Sequence, residues 1–241
     1  MDLKGKNVMV TGANGGIGKA LVQALLDRGV AKIYAAARTT ASVSSVADQV
    51  VAVKLDITDA AQVAAAAKLC GDVDILINNA GVNRGMWLLG PTAMEAAREE
   101  LEVNFFGTLA MCRAFAPVLA SRGGGVIANV CSVLGLVNLP LNGTYCASKA
   151  AGHSMLQGLR GELAARNVRV VGAYPGPVET RMTAGLEMPK ATPEEVADAI
   201  LTGLENGSED IFPDPMSRGV HAQMESDAKQ VEKQFATMVP A

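Results

Sequence analysis

Thr11-Gly12-Ala13-Asn14-Gly15-Gly16-Ile17-Gly18 follows the apolar run Asn7-Val8-Met9-Val10 and leads into an amphipathic stretch, residues 17–28, that Gly29 ends. The run reads as a strand and the stretch as a helix, so the glycines occupy a strand-to-helix turn. Gly12 permits a tight turn, Gly16 lets backbone approach a pyrophosphate, and Gly18 lets the helix pack closely on the strand. The helix N-terminus adds unpaired N–H donors and partial positive charge. A glycine-rich loop alone is a weak signal, but strand before and helix after is the setting a phosphate cradle requires. Gly12, Asn14, Gly16, Ile17 and Gly18 are therefore candidate contacts to a dinucleotide.

The same alternation continues along the chain. Residues 32–37, 50–55, 73–77, 125–131 and 168–173 read as further strands. Residues 59–69 are Ala-rich and helical, with Thr58 or Asp59 as the cap. Residues 93–121 read as one long helix whose last turn Pro117 kinks or breaks. Residues 145–166 read as a helix despite Gly152, Gly158 and Gly161, small residues that suit close packing against a neighbour such as another subunit. Thr192-Pro193-Glu194-Glu195 opens a helix running to about residue 206. Residues 207–215 are rich in Gly, Pro and Asp and read as a loop, followed by a polar tail, 216–241, that is helical up to Met238. Strands alternating with helices imply a doubly wound parallel sheet covered on both faces, a three-layer α/β/α single domain of the Rossmann type. There is no internal repeat and no linker that would split the chain.

Composition narrows the function. The chain has 241 residues, 49% of them hydrophobic and 19% charged, enough for a sizeable core. A net charge of -3 and 4% aromatic residues argue against nucleic acid as a partner. Cys70, Cys112, Cys131 and Cys146 form no C-x-x-C pair, and His153 and His221 are the only histidines, so a zinc site is not expected. Buried reduced thiols suit a cytoplasmic protein. Residues 1–6 lack the apolar run of a secretory signal. Residues 123–148 carry no charge and are long enough to span a bilayer, but Asn129, Asn138, Asn142 and Pro140 argue for a buried strand followed by a buried polar site. No membrane partner is expected.

The cofactor choice rests on Arg38. An acid about twenty residues beyond the glycines would hold the ribose 2′-hydroxyl of NAD. Arg38 stands there instead, and residues 28–47 contain no Asp or Glu. A guanidinium with no carboxylate nearby suits a 2′-phosphate. NADP(H) is therefore favoured, with NAD(H) possible.

The chemistry-bearing residues come next. Tyr145 and Lys149 lie four apart on one helical face. Ser132 ends the fifth strand, at the carboxyl edge of the sheet where ligands bind. Asn104 falls inside the long helix. Any one of these is unremarkable alone. Together with the cradle, Asn78-Asn79-Ala80-Gly81, Asp56 after the third strand and Pro175-Gly176-Pro177-Val178-Glu179-Thr180, the chain resembles the short-chain dehydrogenase/reductase family over residues 5–205.

That resemblance implies an oxidoreductase that moves hydride between NADP(H) and a carbonyl or alcohol. It implies Tyr145 as general acid/base, acidified by the Lys149 ammonium, which also holds the nicotinamide ribose. It implies Ser132 as a hydrogen-bond donor to the substrate oxygen and Asn104 as the holder of a water linking Lys149 to solvent. Asp56 would contact the adenine amino group, Asn79 would lie against the ribose, Val178 and Thr180 would hold the nicotinamide carboxamide, and Pro175 would be a further cofactor contact. The segment 182–190 would be a lid. Val133, Leu134, Leu139 and Leu141, with Pro177, Met182, Leu186 and Met188, and Trp87 at the mouth, suggest an apolar ketone or aldehyde. Cys131 and Cys146 are read as packing residues, and His153 is given no catalytic role. A homo-oligomer, dimer or tetramer, is expected. The region 208–215 departs from the family's usual final strand, which favours a dimer built on the helices bearing Asn104 and Tyr145. An NAD-dependent alcohol dehydrogenase, a reductase resembling those acting on 3-oxoacyl carrier proteins, and a non-catalytic NADP-binding sensor remain alternatives.

Overall fold

The structure is a computed structural model and describes residues 1–41, 43 and 47–239. Seven strands, β1 (Asn7–Thr11), β2 (Lys32–Ala37), β3 (Val50–Lys54), β4 (Ile75–Asn78), β5 (Gly125–Val130), β6 (Val168–Ala173) and β7 (Asp210–Ile211), form one sheet. Its order is β3-β2-β1-β4-β5-β6-β7 and every pairing is parallel. The winding reverses between β1 and β4, so their carboxyl ends open the crevice where an α/β sheet binds ligands.

Period-two alternation sends apolar side chains to both faces, as a doubly covered parallel sheet demands. Val8, Val10 and Ile77 meet Leu21 and Leu25 of α1 (Gly16–Asp27) and Ile200 of α6 (Pro193–Asn206) on one face. On the other, Met9, Leu76 and Ile127 meet Phe115 and Leu119 of α4 (Thr108–Ser121) and Leu156 of α5 (Gly143–Leu163). The second face also carries α2 (Ala60–Leu69), capped by Asp59, whose carboxylate accepts from Ala61 and Gln62 N–H. Thr58, the other candidate cap, bonds to Asp56 instead.

The long helix expected over 93–121 runs unbroken, but not as a regular α-helix throughout. α3 (Ala93–Leu101) and α4 are joined by a π-helical turn, Glu102–Gly107. The wider turn carries Asn104, whose amide oxygen accepts from Val82 N–H at 2.9 Å and whose NH₂ donates to Val82 O and Ser148 Oγ, each at 2.9 Å. Such turns concentrate at functional sites because they re-aim side chains within a helix. Pro117 neither breaks nor ends α4, which runs on to Ser121. By length and apolar content the stretch Ala93–Ser121 could cross a bilayer, but here Met111, Phe115 and Leu119 are buried beneath the sheet. The fourth strand begins at Ile75 rather than Val73, and the last helix, α7 (Pro215–Phe235), starts earlier than expected and turns extended at Asp227 (φ -154°, ψ 85°).

Gly18 is the tightest point of the helix–strand contact. A Cβ there would overlap the Gly12 carbonyl and approach the Asn79 amide nitrogen at 2.6 Å. Gly18→Ala is expected to cost about 1–3 kcal/mol through overpacking, a fall in Tm of roughly 2–12 °C for a chain of this size. Thermal unfolding followed by circular dichroism checks this, and an unchanged Tm contradicts the packing.

Candidate active site

The cradle is shaped by three glycines with different duties. Gly12 and Gly16 adopt positive φ, 64° and 49°, a region other residues avoid. A Cβ on Gly16 would also meet Thr180 Cγ2 at 2.9 Å. Asn79, at the end of β4, braces the loop by donating its NH₂ to the Thr11 and Gly12 carbonyls at 3.0 and 3.2 Å. Thr11 Oγ1 accepts in return from the N–H groups of Asn79 and Ala80. Helix α1 begins immediately after, with no acidic residue in its first turn. A narrow bare-backbone loop, a helix N-terminus and no opposing acid fit a pyrophosphate.

A cavity of about 920 Å³ runs from this loop along the carboxyl edge of the sheet. Gly12, Asn14, Gly16, Ile17, Arg38, Asp56 and Asn79 line it, as do Ser132, Tyr145, Lys149, Pro175, Val178 and Thr180. Of the candidate cofactor and catalytic residues, Gly18 and Asn104 stand behind the lining. Gly18 supports the loop from below, and Asn104 faces Lys149 across Gly81, whose Cβ would lie 3.1 Å from Asn104 Oδ1 and 3.6 Å from Lys149 Nζ.

Arg38 is exposed at the end of β2 and makes no ion pair among the described residues. Asp56 sits close enough for the Arg38 charge to act on its carboxyl, and the Thr58 N–H and hydroxyl, at 3.0 and 2.7 Å, hold that carboxyl below the usual range. Only Asp56 Oδ1 is engaged by Thr58, leaving Oδ2 available as an acceptor. The sequence reading missed Arg181. Its guanidinium lies 3.4 Å from where a Gly15 side chain would begin, placing a second cation over the glycine loop. Nothing local in the sequence signals this, because the approach is made by the chain after β6 folding back on the loop.

Ser132, Tyr145 and Lys149 are 6–7% exposed, brought together where β5 ends and α5 begins. Lys149 Nζ donates to Val130 O at 3.0 Å and stands 5.6 Å from the Tyr145 ring centroid. Burial pulls the ammonium below the ordinary lysine range. The expected acidification of Tyr145 by Lys149 is not what this arrangement shows. Burial instead holds the phenol above the ordinary tyrosine range, and the neighbouring Ser132 hydroxyl pulls it partly back down. The single Ser132 hydroxyl proton is donated to Pro175 O at 3.4 Å, and the oxygen accepts from Leu134 N–H at 3.1 Å. Both Asn104 donors are committed to Val82 and Ser148, so only an Oδ1 lone pair is left to accept from a water.

Beyond these groups the lining is apolar, with Leu139, Leu141, Met182, Leu186 and Met188 among it. Trp87, expected at the mouth, lies outside the lining and packs over Gly90. The lining also includes three residues that the sequence reading left in the tail, Met216, Phe235 and Met238. His153 is a structural residue: its Nδ1 lies 2.8 Å from the Tyr174 hydroxyl. All four cysteines are free and buried, and burial pushes the thiols of Cys70 and Cys112 up to about 12 and that of Cys131 up to about 11. These are inert packing thiols.

Known proteins share this fold. The short chain dehydrogenase family model matches residues 6–191. The chain is similar to an uncharacterized oxidoreductase of Staphylococcus aureus strain USA300, 33% identical over 218 residues covering 84% of this chain and 92% of the relative. A short chain dehydrogenase from Burkholderia cenocepacia J2315, solved in complex with NADP, matches at a TM-score of 0.94 and 42% identity, covering 98% of this chain and 99% of that one. A 3-ketoacyl-(acyl-carrier-protein) reductase from Brucella melitensis, complexed with NADH, matches at a TM-score of 0.75 and 28% identity, covering 89% and 93%. With a matching family model over most of its length and the cradle and Ser132–Tyr145–Lys149 cluster in one cleft, this chain belongs to the short-chain dehydrogenase/reductase family of oxidoreductases.

Proposed function

We propose that this oxidoreductase is an NADP(H)-dependent carbonyl reductase acting reversibly on an apolar ketone or aldehyde. The observation that carries this reading is the burial of a phenol, an ammonium and a hydroxyl together in the wall of a cleft that begins at a phosphate cradle. The nicotinamide, when bound, supplies or accepts the hydride. Everything else falls to the chain. Gly12, Asn14, Gly16, Ile17 and Gly18 form the pyrophosphate cradle, with Arg181 above it. Arg38 pairs with the 2′-phosphate, and Asp56 Oδ2 accepts from the adenine amino group. Asn79 and Lys149 face the ribose, and Pro175, Val178 and Thr180 frame the carboxamide. The complex of the Burkholderia relative with NADP favours the 2′-phosphate reading. The NADH complex of the Brucella reductase keeps an NAD-dependent enzyme as the second reading.

In reduction, Ser132 positions the carbonyl oxygen and Tyr145 donates its proton to it. In oxidation, Tyr145 takes the proton back. Lys149 keeps positive charge beside the phenol, and Asn104 Oδ1 accepts from a water that resupplies the proton. The segment 182–190 acts as a lid over the bound substrate. The enzyme is placed in the cytoplasm, a compartment that its free thiols favour. It works as a homodimer whose contact includes the π-helical turn, where Phe106 is left 53% exposed, and α5, where Gly158 and Gly161 have open space around them.

Two predictions test these roles. A phenol held above its ordinary range stays protonated at neutral pH, so the general acid for reduction remains loaded while the general base for oxidation is scarce. Reduction kcat/KM is expected to be flat between about pH 6 and pH 8, whereas oxidation rises about tenfold per pH unit. Ser132→Ala removes the main downward pull and is expected to move the oxidation limb to higher pH; a limb that stays put or moves lower contradicts the role. For the cofactor, Arg38→Ala is expected to lower the ratio of NADPH to NADH affinity by about tenfold or more, as loss of a charge-assisted phosphate contact implies. Arg181→Ala, by contrast, weakens both alike. Fluorescence titration of each cofactor reads this, and an unchanged ratio in Arg38→Ala overturns the 2′-phosphate assignment.

A further inference from the structure

The C-terminal helix is built in two pieces with different jobs. Its first half is fixed to the body of the fold. Asp214, 3% exposed, caps it by accepting from Ser217 N–H at 2.9 Å and with its other oxygen accepts from Gly176 N–H at 2.8 Å, beside the substrate cleft. His221 stacks on Phe212 with ring centroids 3.9 Å apart, and Phe212 stacks in turn on Tyr174. The helix then breaks at Asp227, whose carboxylate accepts from Gln230 N–H at 2.9 Å and so starts a new helical piece in a new direction.

That second piece buries only two side chains, Val231 and Phe235, one turn apart on a single face. They pack on Val133 and Val137, in the segment that leaves Ser132. Lys229, Glu232 and Lys233 stay exposed on the outside. The piece ends with Phe235 and Met238 in the cleft lining. Every lining side chain from this helix, and every one from residues 133–142 that the cleft touches, is uncharged.

We propose that Phe235 and Met238 form the distal wall of the substrate chamber, so that the substrate is an uncharged carbonyl compound whose extended apolar body reaches from Tyr145 to the C-terminal helix. This rests on the reading of the cleft as a site of carbonyl–alcohol exchange, and adds to it the size and charge of what enters. The break at Asp227 gives the wall its direction: a straight continuation of the first half would carry Phe235 elsewhere. Thioether and aromatic walls accept flexible apolar chains of varied shape. A charged end group would meet no partner there and keep its full desolvation penalty.

A series of 2-alkanones from 2-butanone to 2-dodecanone tests this in the full chain with NADPH. The wild type is expected to gain about fourfold in kcat/KM per methylene, corresponding to about 0.8 kcal/mol for each buried CH₂, until the chain reaches the wall. In Phe235→Ala, and in Met238→Lys at an exposed position that the core does not need, the ratio of kcat/KM for 2-decanone to that for 2-butanone is expected to fall about tenfold. A second readout needs no turnover: 2-decanol should raise the Tm of the NADP⁺-saturated wild type and lose that effect in both variants. Ratios and Tm responses that match the wild type in both variants overturn the wall, as does a wild type that prefers short or carboxylate-ended ketones. A Tm response that depends on Phe235 and Met238, without turnover of any alkanone, supports the wall and overturns carbonyl reduction.

Discussion

The buried ammonium of Lys149 is the constraint around which the cleft is organised. It carries three donors, and the protein supplies one clear acceptor, the carbonyl of Val130 where β5 ends. A cation so placed is costly unless its surroundings compensate it. That is a reason for β5 to stop at Val130, for Asn104 to be carried across Gly81 by a π-helical turn, and for Tyr145 to sit one helical turn before the lysine. Each of these features adds little to stability alone. Together they bring a phenol, a hydroxyl and an ammonium into one wall of the cleft.

The balance of proton affinities follows from the same burial. Burial raises the phenol and lowers the ammonium, so it favours the neutral form of each group. Ser132 tempers the phenol, and in the proposed reaction it would also orient the substrate oxygen. The glycine loop has a parallel logic. Gly18 and Gly12 bring helix and strand into contact, and Asn79 ties that contact to β4, so the cradle and the catalytic wall are two edges of one rigid crevice.

Much of this was legible in the amino-acid order. Strands such as Asn7–Thr11 and Val168–Ala173 are short β-rich runs bounded by turns, and buried parallel strands leave that trace. Thr192-Pro193-Glu194-Glu195 opens a helix through a capping box whose partners are all local. The features that escaped were set by distant contacts. The π-helical turn at Asn104 exists because Val82 and Ser148 engage its amide, and an unbroken apolar stretch gives no sign of that. The break at Asp227 lies in a polar stretch that reads as continuous helix, so Phe235 and Met238 were assigned to a tail rather than to the cleft. Arg181 reaches Gly15 only once the chain after β6 has folded back. The upward direction of the Tyr145 shift likewise comes from burial in the folded wall, which the four-residue spacing to Lys149 does not display.

Replacing Tyr145 by Phe tests the proposed chemistry most directly, because it removes one hydroxyl and keeps the ring that packs in the wall. NADPH binding, followed by fluorescence titration, is expected to stay within about threefold of the wild type, while reduction of an apolar ketone falls by about a hundredfold to ten-thousandfold, the usual worth of a positioned general acid. A variant that binds NADPH equally well and still reduces the ketone at more than about a tenth of the wild-type rate would show that the proton comes from elsewhere.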